Sequence, residues 1–133
     1  MTIPVASQIS AALLVIAALW LGGIGVVMAL QPQRALDLLG QTAASYKANF
    51  IEQIPRLIAG IALILRAPQS RFPVGFELAG WFIAVSSVAL LIIPLRWHAG
   101  YARWWAERIP HWAVRTIAPF SIAAAAGLVY ATF

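Results

Sequence analysis

Residues 9–30 read ISAALLVIAALWLGGIGVVMAL, a run of 22 residues without a charged side chain. At a rise of about 1.5 Å per residue, a helix of this length crosses a hydrocarbon core of about 30 Å. Two further uncharged runs of 18 residues occupy positions 78–95 and 116–133. Each of the three runs therefore predicts a transmembrane helix.

A fourth span is harder to define, because the apolar run 57–65 has only nine residues and is closed by Arg56 and Arg66. Nine residues cover only about 14 Å of a helix axis. To span, this helix must borrow residues on either side, with both arginines reaching toward the lipid headgroups. The alternative is a re-entrant or strongly tilted segment.

The composition agrees with a membrane environment. Of the 133 residues, 62% are hydrophobic and 10% are charged, whereas soluble domains carry about 25% charged residues. Too few charges are present to form the outer shell of a soluble globule. The sequence predicts one integral, all-α membrane domain over residues 1–133, with transmembrane helices at about 9–30, 50–68, 75–95 and 112–133.

The distribution of basic residues predicts how the chain is oriented. With four spans, the connections 31–53 and 96–111 share one side of the membrane, and they and the adjoining helix ends carry seven of the nine Lys and Arg residues. Cytoplasmic loops are enriched in these residues. We therefore expect both connections in the cytoplasm and both termini outside.

Residues 97–108, WHAGYARWWAER, form an amphipathic segment between helices 3 and 4. Its aromatic residues recur at i, i+4, i+7 and i+8, so they share one helical face. This pattern predicts an interfacial helix with its rings at the acyl boundary and its charges among anionic headgroups. The predicted anchors, which could also dock a protein or pigment partner, are Trp97, Tyr101, Trp104, Trp105 and Trp112. The predicted headgroup contacts are Arg34, Arg96, Arg103, Arg108 and Arg115.

One acidic and one basic side chain of the predicted helix 2 have the spacing of an ion pair. Glu52 and Arg56 are four residues apart, so they would face each other on a helix. Such a pair would help a short helix fit the membrane, or it would serve as a proton or ion relay. His98 and His111 lie outside the apolar runs, where haem or pigment ligation is not expected.

Small residues recur at four-residue spacing in three spans: Ala18 with Gly22, Gly80 with Ala84, and Ala123 with Gly127. This spacing lets helices approach closely in lipid. It predicts helix packing at Gly22, Gly80, Ala84 and Gly127, within the chain or with another subunit.

The two halves of the chain resemble each other. Pro32-Gln33-Arg34 and Pro94-Leu95-Arg96 each end a span, and Ile54-Pro55 and Ile109-Pro110 each introduce the next one. These matches predict two parallel helical-hairpin repeats. Chance likeness between apolar sequences is the alternative.

The second half contains PLRW, IPHWAVR and a run ending in GLVY. Over residues 78–130, and more faintly in the first half, it resembles a family of small uncharacterised inner-membrane hairpin proteins of bacteria. The resemblance implies a multi-pass protein of the bacterial cytoplasmic membrane and implies no chemistry.

No nucleophile elbow, phosphate loop or metal motif is present, and the chain contains no cysteine. Neither an enzyme nor a cofactor is expected, and without a basic run or recognition module neither is nucleic-acid binding. The predicted partners are the bilayer and other membrane subunits or further copies of the chain. We expect an accessory or scaffold subunit of a larger membrane complex, with a small homo-oligomeric transporter or channel as the alternative.

Overall fold

The computed structural model describes residues 3–41 and 45–133, and the regular structure in these ranges is helical. A 3-10 turn, Ala67–Gln69, follows the third helix. The helices are α1 (Val5–Leu30), α2 (Pro32–Gln41), α3 (Tyr46–Arg66), α4 (Pro73–Ile92), α5 (Leu95–Arg108) and α6 (His111–Thr132).

Four of these helices are long and apolar enough to cross a membrane: α1, α3 with its 3-10 turn, α4 and α6. The prediction of an all-α chain with four such helices is confirmed. The doubtful second span is a continuous helix of 21 residues, which is about 32 Å long. It begins at Tyr46, earlier than predicted, where the hydroxyl of Ser45 caps its first turn by accepting a hydrogen bond from Ala48 N at 3.1 Å.

The predicted connection 31–53 is mostly helical in the described structure. It contains α2 and the first eight residues of α3, while its residues 42–44 lie outside the described part of the chain. The predicted amphipathic segment 97–108 lies within α5, which begins two residues earlier.

The four long helices pack chiefly as two pairs, α1 with α6 and α3 with α4, and contacts between α1 and α3 join the pairs. Helices α3 and α4 approach each other closely at two glycines. A Cβ atom built on Gly80 would lie 2.7 Å from the carbonyl oxygen of Gly60, and one built on Gly60 would lie 2.8 Å from the backbone nitrogen of Ala84. Because a Cβ cannot approach backbone atoms that closely, α3 and α4 can cross at this distance only with glycine at both positions.

The short helices gather at one end of the molecule, where α2 packs against α5. We call this the α2/α5 end. The opposite end, which we call the terminal end, contains the start of α1, the α3–α4 connection and the end of α6. A hydrophobic cluster joins all four long helices near the terminal end and comprises Leu14, Ala62, Leu63, Ala67, Phe76 and Ala131.

Two arginines, one at the end of α3 and one in the α3–α4 connection, bind the last turn of α6. Arg66 donates from Nε to the carbonyl oxygen of Thr132 at 2.9 Å and from Nη1 to Ser7 Oγ at 3.1 Å. The backbone nitrogen of Arg71 donates to the carbonyl oxygen of Ala131 at 2.9 Å. The Nε atom of Arg71 donates to the carbonyl oxygen of Tyr130 at 3.1 Å. Carbonyls in the last turn of a helix lack intrahelical partners and carry partial negative charge. The arginines therefore cap α6.

The position of Arg66 corrects one expectation. The sequence suggested that this side chain reaches toward headgroups, but it is only 6% exposed. Its partners come from α1 and α6, which lie 59 and 66 positions away in the chain. The bonds to Ser7 and Thr132 offset the cost of burying the guanidinium, so the side chain is held inside the bundle rather than directed outward.

Candidate functional site

One face of α3 carries a row of polar side chains near the α2/α5 end. Asn49, Glu52, Gln53 and Arg56 stand at i, i+3, i+4 and i+7, which places them on the same side of the helix. All four belong to a segment apolar enough to cross a membrane. Polar groups in such a segment are costly unless they are paired, so their partners indicate what the site does.

Helix α4 supplies part of this pairing. Asn49 donates from Nδ2 to the carbonyl oxygen of Leu90 at 3.2 Å. Arg56 donates from Nη2 to Ser86 Oγ at 2.9 Å, and the Ser86 hydroxyl in turn donates to the carbonyl oxygen of Ile83 at 3.0 Å. The polar row is thereby fixed against α4.

Helix α5 contributes His98, which is buried and lies with its Nδ1 3.0 Å from Asn49 Oδ1. Because the Asn49 amide nitrogen is donating to Leu90, its oxygen faces His98 and must accept. The proton of a neutral His98 therefore resides on Nδ1, and Nε2 is free to accept. Burial lowers the pKa of His98 below its ordinary value of 6.5, and the positive charge of Arg56 lowers it further.

A cavity of about 360 Å³ lies beside this network. We call it the Glu52 cavity. Helices α2, α3, α4 and α5 all contribute to its wall, and Ile109, which follows α5, also lines it. Its lining residues are Leu39, Glu52, Arg56, Leu90, His98, Tyr101, Ala102, Trp105 and Ile109.

Two side chains in the polar row are not satisfied by the described residues. Gln53 is fully buried, and neither its Oε1 nor its Nε2 has a hydrogen-bond partner there. The Oε2 atom of Glu52 is likewise buried without a donor. A buried polar atom left unpaired costs about 1–3 kcal/mol, and more if it is charged. Of these two residues, Glu52 lines the Glu52 cavity, so its carboxylate is the group that a ligand there would meet.

The predicted ion pair between Glu52 and Arg56 is not formed as a direct contact. Among residues 3–41 and 45–133, the single ion pair within 4.0 Å joins Arg108 to Glu107. Arg56 uses Nη2 for Ser86 on the neighbouring helix, although it remains close enough to attract the Glu52 carboxylate electrostatically. Spacing along one helix identified the two residues, but the contact across helices determines the geometry.

The predicted aromatic anchors surround the same end of the molecule. Tyr101 and Trp105 meet edge to face with ring centroids 6.2 Å apart, and Trp104 stacks against Trp105 in the same manner at 4.9 Å. Trp97 and Trp112 are exposed. The five arginines predicted to contact headgroups are also exposed: Arg34, Arg96, Arg103, Arg108 and Arg115.

A second, more polar cavity of about 480 Å³ lies between α2 and α5. Gln33 bridges its wall by donating from Nε2 to Asp37 Oδ1 at 2.8 Å and by contacting His111 Nε2 through Oε1 at 2.7 Å. The contact with His111 joins α2 to the start of α6. Across the described ranges, no three His, Asp or Glu side chains lie together as a metal site requires.

The comparisons with known proteins do not assign the chain to a family. No family model matches it, and neither a curated protein nor a solved structure does. The resemblance to bacterial hairpin proteins thus stays a prediction, and the site is interpreted from its own residues.

Sequence reasoning missed three members of this site. It placed His98 in a connecting segment and did not consider Asn49 or Gln53. The polar spacing from Asn49 to Arg56 was a usable signal, because four polar residues on one face of an apolar helix predict a buried network. The pairing of His98 with Asn49 had no local signal, since the two residues are 49 positions apart.

Proposed function

We propose that this protein is an accessory or scaffold subunit of a larger membrane complex in the bacterial cytoplasmic membrane. The observation that carries the proposal is the small-residue pair Ala123 and Gly127 on α6. Both residues are exposed, and a Cβ atom built on Gly127 would meet nothing within 4 Å. A close-packing face of this kind is suited to a helix of another subunit.

The other two small-residue pairs pack against helices of the same chain, unlike the Ala123–Gly127 pair. Gly80 and Ala84 lie against Gly60, and a Cβ atom on Gly22 would lie 3.5 Å from the Cβ of Ala125. Ala18 is also buried. Within residues 3–41 and 45–133, nothing packs against the Cβ position of Gly127, and Ala123 beside it is exposed.

The total accessible surface supports the same role. It is 8506 Å², whereas a compact monomer of 14.4 kDa exposes about 6,800 Å². Large apolar side chains such as Phe82 and Phe120, each 72% exposed, account for part of the surface. Lipid and neighbouring subunits are the environments that accommodate it.

The proposal includes an orientation and an internal symmetry. The enrichment of basic residues at the α2/α5 end supports a cytoplasmic location for that end, with both termini outside and α5 lying at the interface. A tandem repeat, α1–α2–α3 followed by α4–α5–α6, is supported by the packing, because the contact of α1 with α6 is equivalent to that of α4 with α3.

The test is a comparison of Ala123→Leu with Ala126→Leu in native membranes. Both alanines are exposed on α6, but Ala126 is turned by about 80° around the helix axis from the midline of the Ala123–Gly127 pair. After extraction in mild detergent, the wild type and Ala126→Leu should migrate with a second polypeptide, and Ala123→Leu should release the monomer. A wild-type monomer, or an assembly containing only this chain, contradicts the accessory role.

A homo-oligomeric transporter is the second candidate, because Glu52 and His98 are titratable groups that line one cavity. Proton or cation flux through the purified chain in liposomes tests it. The transporter hypothesis predicts flux that Glu52→Gln removes. Absent flux, or flux that the substitution leaves unchanged, excludes a relay through Glu52.

A further inference from the structure

The Glu52 cavity lies where a membrane-spanning segment meets the α2/α5 end. Leu90 is two residues before the end of α4, and Glu52 is six residues after the start of α3. At about 1.5 Å per residue, both lie within about 9 Å of the helix ends. A cavity at this depth in a membrane-spanning bundle is placed at the level of lipid headgroups and glycerol rather than at the bilayer centre.

The cavity presents one positive and one negative group that are not bonded to each other. Arg56 gives Nη2 to Ser86, which leaves its other donors for a ligand. Glu52 has a buried Oε2 without a donor. An arginine is well suited to phosphate, and a carboxylate to an ammonium group. The charge pattern is that of a site for a zwitterion.

The remaining lining residues match the uncharged parts of a lipid. Leu39, Leu90, Ala102 and Ile109 supply apolar surface. Tyr101 and Trp105 also line the cavity, and aromatic rings of these types attract cations. A volume of about 360 Å³ falls within the range of ligand pockets.

We propose that the Glu52 cavity binds the headgroup of phosphatidylethanolamine, with the phosphate on Arg56 and the ammonium on Glu52. The Glu52 carboxylate, which lines the cavity, selects the headgroup because it accepts hydrogen bonds from N–H donors. The ethanolamine ammonium has N–H donors, whereas the quaternary nitrogen of choline has none. Serine headgroups add a carboxylate that Glu52 repels, and glycerol headgroups leave Glu52 without a cation. This inference is independent of the accessory role and depends on the α2/α5 end lying at a membrane surface.

The first experiment uses the wild-type chain alone. The purified, delipidated protein in detergent is titrated with phosphatidylethanolamine, its N-monomethyl and N,N-dimethyl forms and phosphatidylcholine, with binding followed by native mass spectrometry. The forms that keep an N–H should bind, and affinity should fall about tenfold at the last methylation, which corresponds to about 1.4 kcal/mol. Equal affinity for phosphatidylethanolamine and phosphatidylcholine overturns the proposal.

A variant pair places the selectivity on Glu52. Glu52→Gln should lower phosphatidylethanolamine affinity about tenfold and leave phosphatidylglycerol affinity unchanged. Glu77→Gln is the matched control, since Glu77 is an exposed acidic residue at the terminal end, and it should bind like the wild type. Unchanged lipid preference in a folded Glu52→Gln protein overturns the proposal.

A final arm separates the lipid from its soluble headgroup. Free phosphoethanolamine carries the same two charges without acyl chains, so it should bind more weakly than the lipid. If it binds as tightly, the assignment to a membrane lipid is wrong.

Discussion

Arg66 and Thr132 are 66 residues apart, yet Arg66 Nε lies 2.9 Å from the carbonyl oxygen of Thr132. This bond joins the end of the second span to the end of the last. Because Arg66 also donates to Ser7, one buried guanidinium connects three long helices at the terminal end.

Arg66→Lys should therefore destabilise the protein. A lysine ammonium cannot reproduce the forked donors that reach both Thr132 and Ser7. We expect a loss of about 1–3 kcal/mol in the free energy of unfolding, measured in detergent.

Arg71→Lys is the control for that substitution. Its backbone nitrogen keeps the bond to Ala131, and the side chain is exposed. The expected change is below about 1 kcal/mol. Equal losses of unfolding free energy in the two variants would show that the buried hydrogen bonds of Arg66 stabilise the protein no more than the exposed side chain of Arg71 does.

Gly80→Ala should separate α3 from α4. Its new Cβ would lie 2.7 Å from the carbonyl oxygen of Gly60, a backbone atom that cannot rotate away. Overpacking of this kind costs about 1–3 kcal/mol. Gly23→Ala is the matched control, since nothing lies within 4 Å of its Cβ position and alanine favours the helix by up to about 1 kcal/mol. The midpoint of thermal unfolding, measured in detergent, should fall for Gly80→Ala and should not fall for Gly23→Ala.

Gln53→Leu should leave stability unchanged or raise it by about 1–3 kcal/mol. Gln53 is fully buried, and both polar atoms of its amide lack partners among the described residues. Leucine removes those polar atoms at similar size. Chemical unfolding in detergent provides the measurement. A clear loss of stability would instead assign the Gln53 amide a hydrogen-bonding role.

Acid should weaken the packing of α5 through His98. Burial lowers its pKa in the folded protein, with Arg56 adding repulsion, so the unfolded chain binds the proton more tightly. The stability that neutral His98 contributes is thus complete above pH 6.5 and is lost as the pH falls below that value. The other ionisable groups lining its cavity are Glu52, Arg56 and Tyr101.

His98→Gln isolates this effect, because glutamine can still donate to Asn49 but does not titrate. Thermal midpoints measured from pH 8 to pH 5 should fall less steeply for His98→Gln than for the wild type. His111→Gln should keep the wild-type slope, because His98 is still present. If His98→Gln leaves the slope of the thermal midpoint against pH unchanged, His98 is not the cause of that slope.

Sequence patterns predicted the helices, because a helix depends on residues that lie close together in the chain. Long uncharged runs predicted α1, α4 and α6, a shorter apolar run between two arginines predicted α3, and aromatic spacing marked the segment that forms α5. Contacts between distant residues were beyond such patterns. The spacing of Glu52 and Arg56 predicted a pair, but Arg56 bonds Ser86, 30 positions away. Arg66 resembled a headgroup anchor because nothing near it in the chain indicated Ser7 or Thr132.

The most direct test of the account is the sidedness of the two ends, since four spans place the α2/α5 end and the terminal end on opposite membrane surfaces. The chain contains no cysteine, so single cysteines can be introduced at exposed positions: Gln33 and Glu107 at the α2/α5 end, Phe72 and Phe133 at the terminal end.

A membrane-impermeant maleimide added to intact cells should label Phe72→Cys and Phe133→Cys, and should label Gln33→Cys and Glu107→Cys only after the membrane is opened. Labelling of all four positions from the same side would contradict a chain that crosses the bilayer four times.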